Sequence, residues 1–194
     1  MRIRVPRRFR RVREAKRLDK DGSGTISKEE LYNYIEQNAK LWAMLSVSLN
    51  IPEEECLDIA CEVAFQLALA KWSKKKKLEI LSSNEPTREP SLREIQAFLN
   101  FVKKPQGEQE FFHRTVFFAF DENGDGLLDS KELDKFLQIF YDAEGIFAGD
   151  ARLPSKAELK RRVYKDLDEN GDGQLDFYEI RSLISGGALK LATN

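Results

Sequence analysis

The sequence predicts an all-α fold built from two pairs of helix–loop–helix units, with short antiparallel β-bridges between paired loops. Three observations predict this fold. A twelve-residue acidic segment containing glycine occurs three times along the chain. Apolar residues flank each segment at helical spacing. A hydrophobic fraction of 41% over 194 residues is enough to bury a core.

The repeated segments are loops between helices. Before the first loop, Val12, Ala15 and Leu18 recur every three residues, and spacings of three and four follow each loop as well. A repeat of this kind is one supersecondary unit that buries its apolar face against a neighbour. The three loops span residues 19–30, 121–132 and 168–179.

Oxygen-bearing side chains stand at positions one, three, five, nine and twelve of each loop. Ca²⁺ takes about six to eight oxygen ligands at roughly 2.3–2.6 Å, and the carbonyl of position seven adds another oxygen. The glutamate at position twelve can bind with both oxygens. The pattern therefore predicts three Ca²⁺ sites. The predicted ligands are Asp19, Asp21, Ser23, Thr25, Ser27 and Glu30; Asp121, Asn123, Asp125, Leu127, Asp129 and Glu132; and Asp168, Asn170, Asp172, Gln174, Asp176 and Glu179.

Two further loop positions have structural roles. Position six must turn sharply with a positive φ angle, which glycine adopts without steric cost. Position eight is apolar, and its backbone is expected to pair with the same position of a neighbouring loop. These positions are Gly24, Gly126 and Gly173, and Ile26, Leu128 and Leu175, respectively.

Because such loops work in pairs, the lone first loop needs a partner, and residues 83–94 are the candidate. With Glu94 at position twelve, Arg88 replaces the glycine of position six. Pro90 then stands at position eight, where it cannot donate a hydrogen bond. We expect a degenerate helix–loop–helix unit, called the degenerate hand below, that pairs with the first loop and holds no Ca²⁺. An ordinary linker between helices is the alternative. Positions one, three, five and nine are Ser83, Glu85, Thr87 and Ser91.

These motifs resemble those of EF-hand calcium-binding proteins. The order metal, empty, metal, metal is similar to that of the sarcoplasmic calcium-binding protein, calexcitin and photoprotein group. The pairing of the loops predicts an N-terminal lobe at 1–104, with the loop 19–30 and the degenerate hand, and a C-terminal lobe at 105–194 with the loops 121–132 and 168–179. The chain departs from that group in the longer interval between its last two loops. Its single histidine, His113, disfavours a light-emitting photoprotein.

The three loops differ in charge. The loops at 121–132 and 168–179 each hold four liganding acids, whereas the first holds three, with Ser23 and Ser27 neutral. More ligand charge favours tighter binding. We therefore expect the C-terminal pair to bind Ca²⁺ first and tightest, with Mg²⁺ as a further ion for these two sites.

Other segments suggest partners. A helix is expected from a cap at Asn50 to about Trp72, and its apolar face either packs in the core or lines a groove for a protein target. The basic N-terminal arm (residues 2–17) and the lysine run 74–77 are candidates for contact with a partner or an anionic surface. A transit peptide is the alternative for the arm. No specific nucleic-acid motif accompanies these charges.

The composition also limits the compartment and the function. Cys56 and Cys61 have neither zinc nor redox spacing, so reduced thiols and a cytoplasmic location are expected. No apolar run is long enough for a transmembrane segment. An enzyme is not expected, since the chain lacks a glycine-rich phosphate loop and a nucleophile paired with a base. A calcium sensor acting on a protein target is the leading hypothesis, with a calcium buffer or a calcium-stabilised structural subunit as alternatives.

Overall fold

The computed structural model describes residues 12–38, 43, 46–47, 49–70, 88–147 and 154–187. Several features singled out in the sequence lie outside these residues. They are the first part of the basic arm (residues 2–11), Trp72, the lysine run 74–77, and Ser83, Glu85 and Thr87 of the degenerate hand.

The fold is all-α, as predicted, with two very short strands. A 3₁₀ turn at Glu36–Asn38 follows the second helix, and a π-helical turn at Leu183–Gly187 follows the last. The strands are β1 (Leu127–Leu128) and β2 (Leu175–Asp176). The helices are α1 (Ala15–Leu18), α2 (Lys28–Ile35), α3 (Glu53–Leu69), α4 (Leu92–Val102), α5 (Pro105–Phe118), α6 (Ser130–Phe147), α7 (Lys156–Leu167) and α8 (Phe177–Ser182).

The chain divides into two compact units. One consists of Met1–Ser46 with Pro52–Phe112, and the other of Val47–Ile51 with His113–Asn194. The lobes at 1–104 and 105–194 stay a prediction. Among the described residues, none of the helices has both the length and the apolar character needed to cross a bilayer.

Helix α3 is the centre of the first unit. It packs against α2 and against α4, and it buries most of its apolar side chains. The helix begins after Pro52, at the N-cap, whereas Asn50 was predicted to cap it. Asn50 instead has a φ of 54°, a left-handed conformation that asparagine tolerates better than most residues. The buried side chains of α3 include Leu57, Ala60, Val63, Ala64 and Leu67.

A buried glutamine joins α1 to α4. The side-chain oxygen of Gln96 on α4 accepts hydrogen bonds from the backbone N–H groups of Glu14 (3.0 Å) and Ala15 (3.3 Å). The first N–H groups of a helix have no partner within the helix itself, so a buried acceptor stabilises its start. Lys103, just beyond the end of α4, adds an ion pair with Glu14 at 2.5 Å. The helix entering the first loop is therefore fixed to α4.

The second unit is organised around the pairing of β1 with β2. The strands are antiparallel, with Leu128 opposite Leu175, and both leucines are fully buried. The same unit contains edge-to-face aromatic contacts, including Phe120 with Phe136 at 5.1 Å between ring centroids. The guanidinium of Arg114, only 1% exposed, lies 4.0 Å from the centroid of the Phe177 ring. This cation–π contact stabilises a buried charge.

Close backbone approach explains the glycine at position 107. A Cβ atom at Gly107 of α5 would lie 2.0 Å from the carbonyl oxygen of Phe101 in α4. A separation this short requires the backbone of one helix to move. Gly107 is therefore needed for the tight turn between α4 and α5.

We expect Gly107→Ala to lower the free energy of unfolding by about 1–3 kcal/mol, the usual cost of overpacking. In an unconstrained helix the same change would be stabilising, so its sign tests the close approach. Urea unfolding followed by circular dichroism measures the effect. The control is Gln106→Ala at the exposed neighbouring position. An unchanged or higher unfolding midpoint for Gly107→Ala would contradict the contact.

Candidate metal centres

The backbone of each loop turns as its glycine pattern requires. At position six the φ angles are 85° for Gly24, 83° for Gly126 and 77° for Gly173. These values lie in the left-handed region that favours glycine. Each loop therefore turns at the glycine that the sequence pattern places at position six.

A glutamate closes each loop. The carboxylate at position twelve accepts hydrogen bonds from the backbone N–H groups of positions two and nine in all three loops. The glutamate is also the third residue of the exit helix in the first loop. Both of its oxygens are thereby held inside the loop. The pairs are Glu30 with Lys20 (2.6 Å) and Ser27 (3.1 Å), Glu132 with Glu122 (2.9 Å) and Asp129 (2.8 Å), and Glu179 with Glu169 (3.1 Å) and Asp176 (2.8 Å).

The first loop gathers three carboxylates. One oxygen each from Asp19, Asp21 and Glu30 lies within 4.8 Å of the other two. The Oδ1 atom of Asp19 is buried and has no hydrogen-bond partner. Burial of an unpaired carboxylate oxygen is costly unless a cation accompanies it. A donor set made only of oxygen suits a hard cation such as Ca²⁺, so these residues fit the ion that the loop pattern predicts.

The remaining predicted ligands of the first loop surround this cluster. Asp21 accepts a hydrogen bond from the N–H of Ser23 at 2.8 Å, which lowers the pKa of Asp21. The hydroxyls of Ser23 and Thr25 lie 3.2 Å apart. Ser27 caps α2 by accepting from the N–H of Glu30 at 3.2 Å. Its hydroxyl is therefore committed to the helix, and a bridging water is the way in which position nine often reaches the ion.

The second loop buries its first acid. Asp121 is 5% exposed, and its carboxylate accepts from the N–H groups of Asp125 (3.1 Å) and Gly126 (2.9 Å). Burial raises the pKa of Asp121, and the negative charges of Asp125 and Glu132 raise it further. The carboxylate of Asp121 therefore lies in a partly desolvated position near two further acids. A divalent cation there would relieve their repulsion.

The second and third loops share the same internal hydrogen bonds. Position three accepts from the N–H of position five, at 2.8 Å for Asn123 and 2.9 Å for Asn170. Position five accepts from the N–H of position seven, Leu127 at 2.9 Å and Gln174 at 2.8 Å. Position nine, Asp129 or Asp176, caps the exit helix by accepting from the N–H of position twelve at 2.9 Å in each loop. Asp168 accepts from Gly171 (2.7 Å) and Gly173 (3.0 Å).

The loops differ in how closely their acids approach. Within the described ranges, three carboxylates meet the 4.8 Å separation in the first loop only. In the other two loops, the acid at position five also binds the side-chain amide of position three, Asn123 or Asn170, at 2.9 Å. The structure therefore places every predicted ligand in its loop. The individual ligand roles stay predictions.

Residues of the degenerate hand lie against the first loop. Thr25 forms an antiparallel bridge with Ser91, and these residues stand at positions seven and nine of their segments. Leu127 and Asp176 stand at the same two positions and pair in the same way. The carbonyl of Pro90 accepts from the N–H of Ile26 at 3.0 Å. The proline accepts without donating, as its chemistry dictates.

The sequence did not reveal one contact that links the first loop to α3. Lys28, at position ten, forms an ion pair with Glu62 at 2.6 Å, and Cys61 donates to the carbonyl of Lys28 at 3.6 Å. Glu62 raises the pKa of Lys28. Position ten is not a ligand, and its partner is 34 residues away. No local pattern in the sequence signals such a pair.

Comparison with known families agrees with this geometry. A family model of the EF-hand domain pair matches residues 110–185, and a model of the EF hand matches residues 16–33. These matches support the EF-hand superfamily and calcium binding, and EF-hand proteins are generally calcium binders without enzymatic activity. The degenerate hand lies outside both matches, and the narrower group of sarcoplasmic type stays a prediction. No curated protein sequence gives a significant match.

We expect Glu132→Gln to weaken Ca²⁺ binding at the second loop by roughly tenfold or more, because an amide offers one uncharged oxygen where the carboxylate offers two. The control is Glu122→Gln, which removes the same charge from the same loop. Glu122 is paired with Lys135 on the exposed surface. Calcium titrations followed through the Gly126 amide in NMR spectra measure both variants. Equal losses of Ca²⁺ affinity in the two variants would contradict the prediction, because they would show that only the charge of the side chain affects binding.

Proposed function

We propose that the chain is a calcium sensor, in which Ca²⁺ binding changes a helix surface that a protein target recognises. The observation that carries this proposal is the ion pair of Lys28 with Glu62. It supports a mechanical link between the first calcium loop and a helix that lies outside every loop. A buffer needs no such link.

The link begins at the predicted metal ligand. Glu30 is both position twelve of the first loop and the third residue of α2. Any shift of its carboxylate towards a bound ion moves the first turn of α2. Lys28 lies in that same turn, and its ammonium group binds Glu62 and lies 5.9 Å from the centroid of the Phe65 ring. Metal binding is therefore coupled to α3.

Helix α3 supplies the apolar surface. Besides α2, it packs against α4, so it covers the exit helices of both the first loop and the degenerate hand. Its buried face includes Leu57, Val63 and Leu67. A rotation of α2 would uncover part of this face. An amphipathic helix of a target protein is the ligand that such a groove suits.

A titration with a hydrophobic dye tests the sensor proposal. We expect a large calcium-dependent rise in dye fluorescence for the wild type, because apolar surface of α3 becomes accessible. Glu30→Gln should abolish most of this rise, whereas Glu179→Gln, an equivalent change in the third loop, should leave most of it. An unchanged signal in the wild type would instead favour a buffer or a calcium-stabilised subunit.

The order of filling is a separate prediction. The loops at 121–132 and 168–179 hold four liganding acids each and are joined by β1 and β2, so we expect them to bind first and tightest. Site-resolved NMR titrations of the Gly24, Gly126 and Gly173 amides measure the order. Glu30→Gln, Glu132→Gln and Glu179→Gln assign each response to its loop. Filling of the first loop at the lowest calcium concentration would contradict the prediction.

A calcium buffer is the second candidate. The two loops of the second unit favour it, since each holds four liganding acids and a buffer requires only that the ion be bound. These are also the sites proposed to accept Mg²⁺. The cytoplasm is the proposed compartment for either function. Its support is that Cys56 and Cys61 are buried free thiols, and burial raises the pKa of Cys61 to about 11.

A further inference from the structure

Glu94 in the degenerate hand has a partner with no counterpart at the other position-twelve glutamates, as far as the described part of the chain shows. It accepts from the N–H of Ser91, at position nine, at 2.8 Å, as its counterparts do in the calcium loops. Its other partner is the guanidinium of Arg88, whose two terminal nitrogens lie 2.5 Å from Oε1 and 2.9 Å from Oε2. A planar guanidinium thus faces both oxygens of this carboxylate, in the bidentate arrangement that makes strong, directed ion pairs.

We propose that Arg88 replaces the metal ion of the degenerate hand and, through the segment that follows it (residues 89–92), positions the first calcium loop. In a calcium loop, the ion holds position twelve against the first half of the loop. Here a side chain of the protein supplies the positive charge. Arg88 is accordingly a positioning residue for the site formed by Asp19, Asp21 and Glu30.

The backbone carries the effect from Arg88 to the first loop. Arg88 also donates to the carbonyl oxygen of Glu89 at 3.3 Å, at the start of the segment that pairs with the first loop. From there, the carbonyl of Pro90 accepts from Ile26 at 3.0 Å, and the N–H of Leu92 donates to the carbonyl of Gly24 at 3.4 Å. These two bonds lie on either side of the bridge between Ser91 and Thr25. The second half of the first loop is therefore held by the degenerate hand.

A side chain of the same segment contacts one predicted calcium ligand of the first loop. The Oε2 atom of Glu89 accepts a hydrogen bond from the hydroxyl of Thr25 at 2.6 Å. The Thr25 hydroxyl in turn lies 3.2 Å from that of Ser23. Glu89 therefore adds a negative charge at the edge of the loop that has the fewest liganding acids. It also orients the residue whose carbonyl is the predicted ligand at position seven.

The ion pair does not depend on calcium. Arg88 lowers the pKa of Glu94 to about 2, with smaller contributions from Ser91, so the carboxylate is ionised throughout the physiological range. The Arg88 side chain is 62% exposed and that of Glu94 is 31% exposed. Exposed ion pairs contribute modestly to stability. The expected effect of replacing Arg88 on calcium affinity is therefore also modest, and the direction of that effect tests the proposal better than its size.

The sign of the change in calcium affinity separates a positioning role of Arg88 from a simple electrostatic effect. Removing a positive charge near a cation site strengthens cation binding if charge alone acts. Loss of a positioning residue weakens binding. Arg93 offers the matched control, because it lies on the exposed side of α4, five residues away, and carries the same charge. The inference rests on calcium binding by the first loop, so that binding is measured in the same experiment.

The experiment titrates Ca²⁺ into the wild type, Arg88→Met and Arg93→Met, and follows the Gly24, Gly126 and Gly173 amides by NMR. We expect Arg88→Met to weaken binding at Gly24 by about two- to fivefold, the scale of one partly exposed bidentate pair. Arg93→Met should bind as tightly as the wild type or slightly tighter. The responses of Gly126 and Gly173 should be unchanged in both variants.

Two results would overturn the inference. Equal or tighter binding at Gly24 in Arg88→Met, compared with Arg93→Met, would leave only a charge effect. A wild type in which Gly24 does not respond to Ca²⁺ would overturn binding at the first loop and the inference with it. Should Arg88→Met unfold the first unit, Arg88→Lys replaces it, since lysine keeps the charge and loses the bidentate geometry. Weaker binding at Gly24 in Arg88→Lys supports positioning, and unchanged binding contradicts it.

Discussion

The closing hydrogen bonds of the position-twelve glutamate are the interaction on which the rest of the structure depends. In each calcium loop one carboxylate accepts from backbone N–H groups near both ends of the loop, as Glu132 does from Glu122 and Asp129. This contact brings the two ends together, and it also sets the start of the exit helix. The loop, the helix and the predicted metal ligand therefore share one side chain. On the sensor proposal, a shift of this carboxylate on ion binding would therefore act directly on the start of the helix.

Local chemistry made most of the candidate sites predictable. The positive φ angle of Gly24 follows from glycine at a tight turn, and the capping by Ser27 follows from its spacing to Glu30. Contacts between distant residues were not predictable in this way. The ion pair of Lys28 with Glu62 depends on how two helices pack, and a single sequence carries no periodic signal for such a meeting. Which helices pack beside the paired loops is visible only in the three-dimensional structure.

The paired loops of the two units differ in the residues that they bring together. In the second unit, each of the paired loops has its own acidic site, and Leu128 lies opposite Leu175 between them. In the first unit, the calcium loop pairs with a segment in which Arg88 faces Glu94. The backbone pairing has the same register in both, although proline removes one donor from the first. The same backbone pairing thus forms beside a segment in which a guanidinium, and not a predicted metal site, accompanies the carboxylate.

The position of Arg88 has a consequence for the shape of the calcium response. An ion in a loop exchanges with solvent, so its occupancy depends on concentration, whereas a covalently attached guanidinium is present at every concentration. Two loops that both await an ion can order each other, and their binding then becomes cooperative. A loop whose partner is ordered at every calcium concentration has no second binding event to which its own binding can be coupled. We therefore expect a graded response from the first unit beside a steeper, switch-like response from the second.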